Sequence, residues 1–296
     1  MFQNRHKTIY LTLAAIMRKL IQNIVLIGLL LISCTKEPYD YENDRTSYYK
    51  NLIFNKYNDS TIICVTFNIQ LGFNAFSDPW DKSQIGANEE QLQNITHVLK
   101  QISPDIIALQ EVPRNRFNAE IKDFLERLAE NLDMNYAFGA HGFNDPYGIY
   151  PVHGEWGNAI LTKYQIQNIC NKEIENIDKW QKRSMIDVEL MINDSVFLHA
   201  LSLHYIPIQE GIPNTANYLH DHGKPIILMG DFNYMGEISE LKEIGLADSD
   251  SNYIIHSIDR ILYSDTFFET KEIGSLADTN YTSDHPANYS ILKLKN

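Results

Sequence analysis

Short apolar segments that follow one another closely are the feature that most restricts the fold of this chain. Many are rich in β-branched residues, which favour strands, and turn-forming residues separate them. The predicted strands cover residues 61–68, 105–110, 136–138, 158–162, 184–191, 196–204, 225–229, 258–263 and 288–293. The segments 184–191 and 196–204 leave no room for a helix between them, which argues against uniform strand–helix alternation. We therefore expect a pair of stacked mixed sheets with helices outside.

Two segments have the spacing of amphipathic helices. Residues 88–102 place Leu92, Ile95 and Leu99 on one face, and residues 115–132 show the same pattern. The chain has no internal repeat, and no Pro-, Gly- or Ser-rich linker divides it after residue 50. A single domain over 51–296 is therefore expected.

The amino-terminal segment has the pattern of an export signal. Arg18 and Lys19 precede an apolar stretch over 24–32, which is too short to span a bilayer as a helix. Leu31-Ile32-Ser33-Cys34 resembles a bacterial lipobox, a signal in which the cysteine is lipidated after cleavage. We expect residues 1–34 to form this signal, with 1–16 an upstream extension from a misplaced start codon.

Lipidation at Cys34 predicts a protein held by its acyl chains at the bacterial cell envelope, either periplasmic or on the outer surface. An uncleaved signal anchor is the alternative. The polar and acidic residues that follow, 35–50, are typical of a flexible tether.

Charge and cysteine content narrow the possible partners. The 25 basic and 38 acidic side chains give a net charge of −13, and the first 34 residues hold four of the bases and no acid. The remaining body would repel a nucleic-acid backbone, which disfavours long duplex DNA, although a local basic rim stays open. Cys34, Cys64 and Cys170 are too few for a disulfide framework, and Cys64 lies in an apolar run that predicts burial.

Polar residues recur at the ends of the apolar segments. Alone, each has a plain explanation, since Asp and Asn form turns and a single His is usually structural. Together, these residue types suit one reaction. Their position also fits a catalytic role, since a rigid sheet presents catalytic groups from the loops at the ends of its strands. The residues are Asn68, Glu111, His204, Asp231, Asn233, Asp259, Asp284 and His285.

The surrounding motifs are similar to those of the endonuclease/exonuclease/phosphatase superfamily, and they occur in the same order. They are Phe67-Asn68, Leu109-Gln110-Glu111-Val112, Gly157-Asn158-Ala159-Ile160-Leu161, Ser202-Leu203-His204, Gly230-Asp231-Phe232-Asn233, Ile258-Asp259-Arg260-Ile261 and Ser283-Asp284-His285-Pro286. The resemblance covers about residues 60 to 294. It implies an α+β fold, a four-layer α/β/β/α sandwich of two mixed sheets as in deoxyribonucleases, and a divalent metal, Mg²⁺ or Mn²⁺.

The resemblance also implies the metal ligands. Glu111 would be the main ligand, with Asn68 orienting the metal or its water and Asp284 close by. This is chemically reasonable, because Mg²⁺ keeps several waters and needs only one or two carboxylates.

The remaining roles come from the same resemblance. Asp231 would accept a hydrogen bond from the attacking water, and Asn233 would hold the phosphate or that water. Asp259 would fix the tautomer of His285, which would then donate to a phosphoryl oxygen. His204 would be a second phosphate contact.

The resulting hypothesis is a metal-dependent hydrolase that cleaves a phosphodiester by direct attack of water. A lipid headgroup, a phosphorylated glycan or a small nucleotide is the favoured substrate, and a monomer is assumed. The alternatives are a secreted or surface nuclease acting on DNA or RNA, and a binding lipoprotein without catalysis.

Two loops and two basic side chains lie near the motifs but have no assigned catalytic role. The aromatic-rich loops 71–87 and 139–156 are predicted to shape the substrate pocket, or else to cap the core. Arg183 is equally compatible with the site and with the surface, and Lys163 is left outside the catalytic set because it offers a point charge where the family often has arginine.

Overall fold

The computed structural model describes residues 47–53, 60–79, 81, 83–116, 118–141, 155–176, 182–193, 196–207, 211–223, 225–252, 255 and 257–295. All of them belong to one compact unit over Tyr39–Asn296. The export signal and Cys34 lie outside the described residues, as does most of the tether. No described helix combines the length and apolar character needed to cross a membrane.

The described strands form two mixed sheets. In spatial order, the seven-stranded sheet contains β1 (Ser47–Lys50), β4 (Asn135–Ala140), β5 (Glu155–Thr162), β3 (Ile106–Arg114), β2 (Thr61–Asn68), β13 (Asn288–Leu294) and β12 (Phe268–Ser275). The six-stranded sheet contains β10 (Leu246–Asp248), β11 (Asp259–Ser264), β9 (Ile226–Asp231), β8 (Val196–His204), β7 (Lys182–Asn193) and β6 (Gln165–Asn176). Strands β2 and β3 are parallel, as are β8 and β9, and the other pairs are antiparallel.

The two sheets pack face to face through a buried aliphatic layer. Ile62 and Ile106 of the first sheet belong to the same cluster as Val188 and Ile227 of the second. Cys64 is fully buried in this layer, as its apolar neighbours predict. Each fully buried aliphatic side chain here contributes about 2 kcal/mol by leaving water.

Helices cover the outer face of each sheet. They are α1 (Glu89–Lys100), α2 (Phe124–Leu132), α3 (Gly211–Leu219) and α4 (Ser239–Glu243). Leu92 and Leu128 join α1 and α2 to the core of the seven-stranded sheet, and Leu219 and Leu241 join α3 and α4 to the other. The predicted four-layer α/β/β/α sandwich is therefore confirmed.

The helix predicted over 115–132 is wrong in its first half. Asn115 has a φ of 52°, and the backbone N–H groups of Glu120 and Ile121 donate to the carbonyls of Gly86 and Ala87. These bonds replace the helical pattern, so α2 begins only at Phe124.

Four strands were not predicted: β1, β6, β10 and β12. β6, β10 and β12 each lie at the edge of a sheet. β12 is largely polar and β10 has only three residues, so these edge strands lack the apolar pattern of the central strands. β1 pairs with β4, which means that residues 47–50, placed at the end of the tether, belong to the sheet.

Candidate functional site

The predicted site residues converge where strands of the two sheets end side by side. β2 ends at Asn68, β8 at His204 and β9 at Asp231. The Asn68 Nδ2 donates to Asp231 Oδ2 at 3.2 Å and approaches Glu111 Oε1 at 3.4 Å. One amide from the first sheet therefore contacts a carboxylate from each sheet, and the site spans the joint between them.

A β-bulge presents Glu111. The register between β3 and β5 breaks between Leu109 and Val112, and Glu111 has a φ of 53°. Burial raises the pKa of Glu111 to about 7, while the hydrogen bond from Asn68 and the charge of Arg183 oppose this. An incompletely compensated buried carboxylate is a group that a bound cation would stabilise.

The end of β9 and the turn that follows it position Asp231. A Cβ on Gly230 would lie 2.1 Å from the carbonyl oxygen of Leu203, so only glycine allows β8 and β9 to approach this closely. The Asp231 carboxylate is 1% exposed, and its Oδ1 accepts the backbone N–H of Asn233 at 2.9 Å. Asn233 has a φ of 48°, and its Nδ2 donates to the carbonyl of Tyr205 at 2.9 Å.

A buried carboxylate holds the ring of His285. Its Nδ1 lies 2.9 Å and 3.1 Å from the two oxygens of Asp259, and its Nε2 lies 3.7 Å from Asp231 Oδ2. Burial lowers the pKa of His285, but the hydrogen bond and charge of Asp259 outweigh it and raise the value to about 9. The ring is therefore an imidazolium at neutral pH, with its Nε2–H directed towards Asp231.

His204 is the neutral histidine of the site. Its Nε2 lies 3.5 Å from Asp231 Oδ2 and its Nδ1 lies 4.0 Å from Glu111 Oε1. Burial lowers its pKa to about 3, with Asp231 opposing. The Nδ1 atom is buried and makes no hydrogen bond within the part of the chain that the structure describes.

Asp284 is more exposed than the other predicted metal ligands. Its Oδ1 lies 3.3 Å from the Ser283 hydroxyl. Lys163 is at the opposite end of β3, where its Nζ contacts Asp105 at 3.0 Å and the carbonyl of Ser103 at 2.8 Å. Its exclusion from the catalytic set agrees with this position.

Arg183 lies beside the site. Its guanidinium is 4.8 Å from the ring centre of Trp156, and its charge lowers the pKa of Glu111. Trp156 also lies edge-on to His141 and His204, with ring centres 4.8 Å and 6.2 Å away. Trp156 and His141 were predicted only as ends of a loop, and most of that loop, 142–154, lies outside the described residues.

Sequence reasoning missed the residues that hold the site together. The Ser283 hydroxyl donates to the carbonyl of Asn68 at 2.6 Å, which ties the loop before His285 to the end of β2. Gln110 donates to the hydroxyl of Ser202 at 3.1 Å and links β3 to β8 across the sandwich. Both serines stand two residues before a predicted histidine, which was the available signal.

The residues fit a hard divalent cation at Glu111, because a carboxylate offers the oxygen ligands that Mg²⁺ and Mn²⁺ prefer. Asn68 turns its Nδ2 towards this carboxylate, and its Oδ1 accepts the backbone N–H of Gln70 at 3.0 Å. Asn68 is therefore placed beside the cation position and not as an oxygen ligand. Asp231, Asp259 and His285 also place one ligand atom each within 4.8 Å of one another. The protonated ring of His285 cannot ligate a metal, so the Glu111 side is the better cation position.

Comparisons with known proteins agree with this geometry. Residues 65–285 match the model of the Endonuclease/Exonuclease/phosphatase family. The uncharacterized protein YbhP of Escherichia coli K12 is 25% identical over 185 residues, which cover 57% of this chain and 65% of YbhP. The chain thus spans less than two thirds of that relative.

Solved structures share the fold. An endonuclease/exonuclease/phosphatase from Beutenbergia cavernae has a TM-score of 0.64 at 16% identity, covering 80% of this chain and 72% of its own. A mannosyl-6-phosphatase from Bacteroides thetaiotaomicron has a TM-score of 0.57 at 18% identity, covering 79% and 100%. Because the family model matches residues 65–285, this chain belongs to the Endonuclease/Exonuclease/phosphatase family.

Proposed function

We propose that this protein hydrolyses a phosphodiester with a divalent cation and a directly attacking water, and that it does so at the cell envelope. The observation that carries the proposal is the position of Asp231. Its buried carboxylate lies within 3.7 Å of Asn68, His204 and His285. One amide and two imidazole rings therefore surround this carboxylate where the two sheets meet.

Glu111 would hold Mg²⁺ or Mn²⁺, and Asn68 would orient the metal or its water. The bound cation would offset negative charge on the phosphoryl and leaving oxygens. Asn68 already bridges Glu111 and Asp231, so it would keep the cation and the water-binding carboxylate in register. Asp284 is exposed and would act from the rim.

Asp231 would accept a hydrogen bond from the attacking water. Its Oδ1 is held by the backbone of Asn233, so the carboxylate is fixed before substrate arrives. Its Oδ2 lies 3.7 Å from Nε2 of His285. Preorganised groups of this kind typically contribute about 10²–10⁴-fold in rate.

His285 and His204 would stabilise charge on the phosphoryl group. The Asp259 carboxylate holds Nδ1 of His285, which leaves Nε2–H to donate to a non-bridging oxygen. The neutral ring of His204 would be a second contact to the same group, since its Nδ1 lies in the site without a described hydrogen bond.

Aromatic side chains beside the site favour a substrate with an apolar or planar portion. Phe76 and Tyr281 are 81% and 57% exposed, and their ring centres lie 5.2 Å apart. The N–H of Ala75 donates to the carbonyl of Tyr281, two residues before Ser283, so the pair is fixed to the loop that carries His285. Exposed aromatic pairs of this kind bind rings or acyl chains.

The envelope location rests on the amino-terminal pattern. The lipobox-like sequence before Cys34 predicts acylation, and the polar residues after it would give the domain reach from the membrane. Mass spectrometry of the protein from its native membrane should find an acylated Cys34 at the amino terminus. A mature chain that retains Met17 would contradict this part of the proposal.

The test compares substrates and one pair of variants. Full-length protein with Mg²⁺ is assayed on bis(p-nitrophenyl) phosphate, p-nitrophenyl phosphate, phospholipid vesicles and plasmid DNA. We expect faster turnover of the diester than of the monoester, and loss of turnover in Asp231→Asn. Asp221→Asn is the matched control, because that carboxylate is fully exposed on the turn after α3. A faster monoesterase would contradict the diester assignment, and equal activity of the two variants would contradict the catalytic one.

A further inference from the structure

A second cluster of chemistry-bearing side chains lies on the outer face of the six-stranded sheet. Cys170 of β6 stands opposite Asp187 of β7, and Glu189 of β7 stands opposite His199 of β8. Asp187 and Glu189 are two residues apart and so project to the same face. The cluster therefore sits mid-strand, away from the strand ends that carry the catalytic candidates.

The turn after α3 brings a second histidine onto this face. His222 Nε2 lies 3.1 Å from Asp187 Oδ2, and His199 Nδ1 lies 2.7 Å from Asp187 Oδ1. The two imidazole rings are 4.7 Å apart between centres. Two histidines from different elements thus direct a ring nitrogen to the same carboxylate.

The cluster lines a surface cavity of about 100 Å³, which also includes Cys170 and Tyr218. The histidine side chains are 16% and 18% exposed, whereas Asp187 is 3% exposed. An ion can therefore reach the nitrogen atoms from solvent, while the buried carboxylate supplies the negative charge. A metal site needs a path by which the ion can enter and a charged ligand that is partly shielded from water.

We propose that Asp187, His199, His222 and Cys170 bind a Zn²⁺ ion. Two imidazoles, a carboxylate and a thiol are the donor types that tetrahedral zinc takes, and they differ from the oxygen donors at Glu111. One ligand atom from each of Asp187, His199 and His222 lies within 4.8 Å of the others, and Cys170 lines the same cavity. The two histidine nitrogens lie 2.7 Å and 3.1 Å from the carboxylate oxygens, near the spacing of about 3.3 Å between ligands of a zinc tetrahedron.

Zinc bound here would fasten α3 to the sheet. His222 lies between α3 and β9, on the segment that joins the catalytic candidates His204 and Asp231 along the chain. The ion would replace the hydrogen bonds to Asp187 with stronger links from β6, β7 and β8 to that segment. We therefore assign the site a structural role and expect zinc to raise the unfolding temperature.

The experiment measures zinc binding to the full-length protein after removal of metals with a chelator. Zn²⁺ is added in the presence of excess Mg²⁺, and bound zinc is counted after dialysis. We expect one zinc per chain in the original protein and in Glu111→Gln. We expect His199→Ala and His222→Ala to weaken zinc binding at least about a hundredfold, since even outer-sphere changes cost up to that much.

His220→Ala is the matched control, because His220 is 70% exposed and pairs only with its neighbour Asp221 among the contacts described. It should bind zinc like the original protein. Should His199→Ala fail to fold, His222→Ala decides alone, because His222 lies in a turn. Co²⁺ in place of zinc should show a thiolate charge-transfer band that disappears in Cys170→Ser.

Absence of stoichiometric zinc in the original protein would overturn the proposal, leaving a hydrogen-bonded network only. Equal zinc binding by His222→Ala and His220→Ala would overturn it as well. A cobalt spectrum unchanged in Cys170→Ser would remove Cys170 from the ligand set. None of these readouts depends on hydrolysis, so a failure here is distinguishable from a failure of the proposed activity.

Discussion

The molecule holds two His–Asp clusters of similar composition in different parts of the fold. In one, Asp231, Asp259 and His285 meet at the strand ends, where both sheets contribute. In the other, Asp187, His199 and His222 meet on the face of one sheet beneath α3. We therefore propose different roles for the same residue types, catalysis at the strand ends and structural metal binding on the sheet face.

Backbone conformation differs between the clusters in the same way. Glu111 and Asn233 have positive φ values, and Gly230 allows a close approach of β8. In contrast, Asp187 and His199 lie on regular paired stretches of β7 and β8. Unusual backbone at the strand ends re-aims side chains into a shared space, as functional sites often require.

The largest expected effect separates the two clusters by activity. Asp231→Asn should lower kcat/KM on a phosphodiester by about 10³-fold or more, because an amide cannot take the proton of the attacking water as a carboxylate can. His199→Ala should leave kcat/KM within about twofold in the presence of Mg²⁺, as a structural metal site predicts. Steady-state kinetics of both variants make the comparison. A comparable loss of kcat/KM in His199→Ala would contradict the separation and indicate that both clusters serve catalysis.

The next effect concerns the orientation of His285. Asp259→Asn should lower kcat by about 10²-fold with little change in KM, because the ring loses the carboxylate that keeps it charged and oriented. His285→Gln in the Asp259→Asn background should cost little more, since the two residues act as a unit. Additive losses would show that Asp259 acts independently of His285.

A stability measurement sharpens the contrast in backbone. Gly230→Ala should destabilise the fold by about 2–3 kcal/mol, because the new Cβ meets the carbonyl of Leu203. Gly223→Ala is the control, since a Cβ there meets nothing within 4 Å. Urea unfolding of both variants provides the values. Equal midpoints would mean that β8 and β9 do not approach as closely as described.

The smallest effect concerns the rim of the catalytic cluster. Removing the pair with Phe76→Ala and Tyr281→Ala should raise KM for an aryl phosphodiester about fivefold and leave kcat unchanged, because a stacking contact contributes about 1 kcal/mol. The double variant should not affect KM for a small alkyl phosphodiester. An equal change for both substrates would point to distortion of the loop before His285.

Local sequence patterns predicted most of the central strands and site residues, because those strands are apolar and end in polar side chains. The strands 61–68 and 196–204 have the bounds given by the structure. The motif resemblance named Asn68, Asp231 and His285, and Asp231 Oδ2 lies 3.2 Å from Asn68 Nδ2 and 3.7 Å from His285 Nε2.

Long-range pairing decided what the sequence did not predict. The polar strand β6 exists because β7 pairs with it along its whole length. The first half of the second predicted helix does not form, because its backbone N–H groups donate to the carbonyls of residues 86 and 87. Those residues are distant along the chain, so a local sequence pattern does not indicate the pairing. The second cluster was not predicted because its members occupy ordinary strand and turn positions and meet only when α3 packs on the sheet.

The most direct test of the central claim is the metal dependence of hydrolysis in Glu111→Gln. The chelated original protein should lose its diesterase activity and recover it with Mg²⁺. Glu111→Gln at the same Mg²⁺ concentration should stay at least about a hundredfold slower, because the cation loses its main carboxylate. Full activity of Glu111→Gln, or of the chelated protein, would contradict a catalytic cation at the joined strand ends.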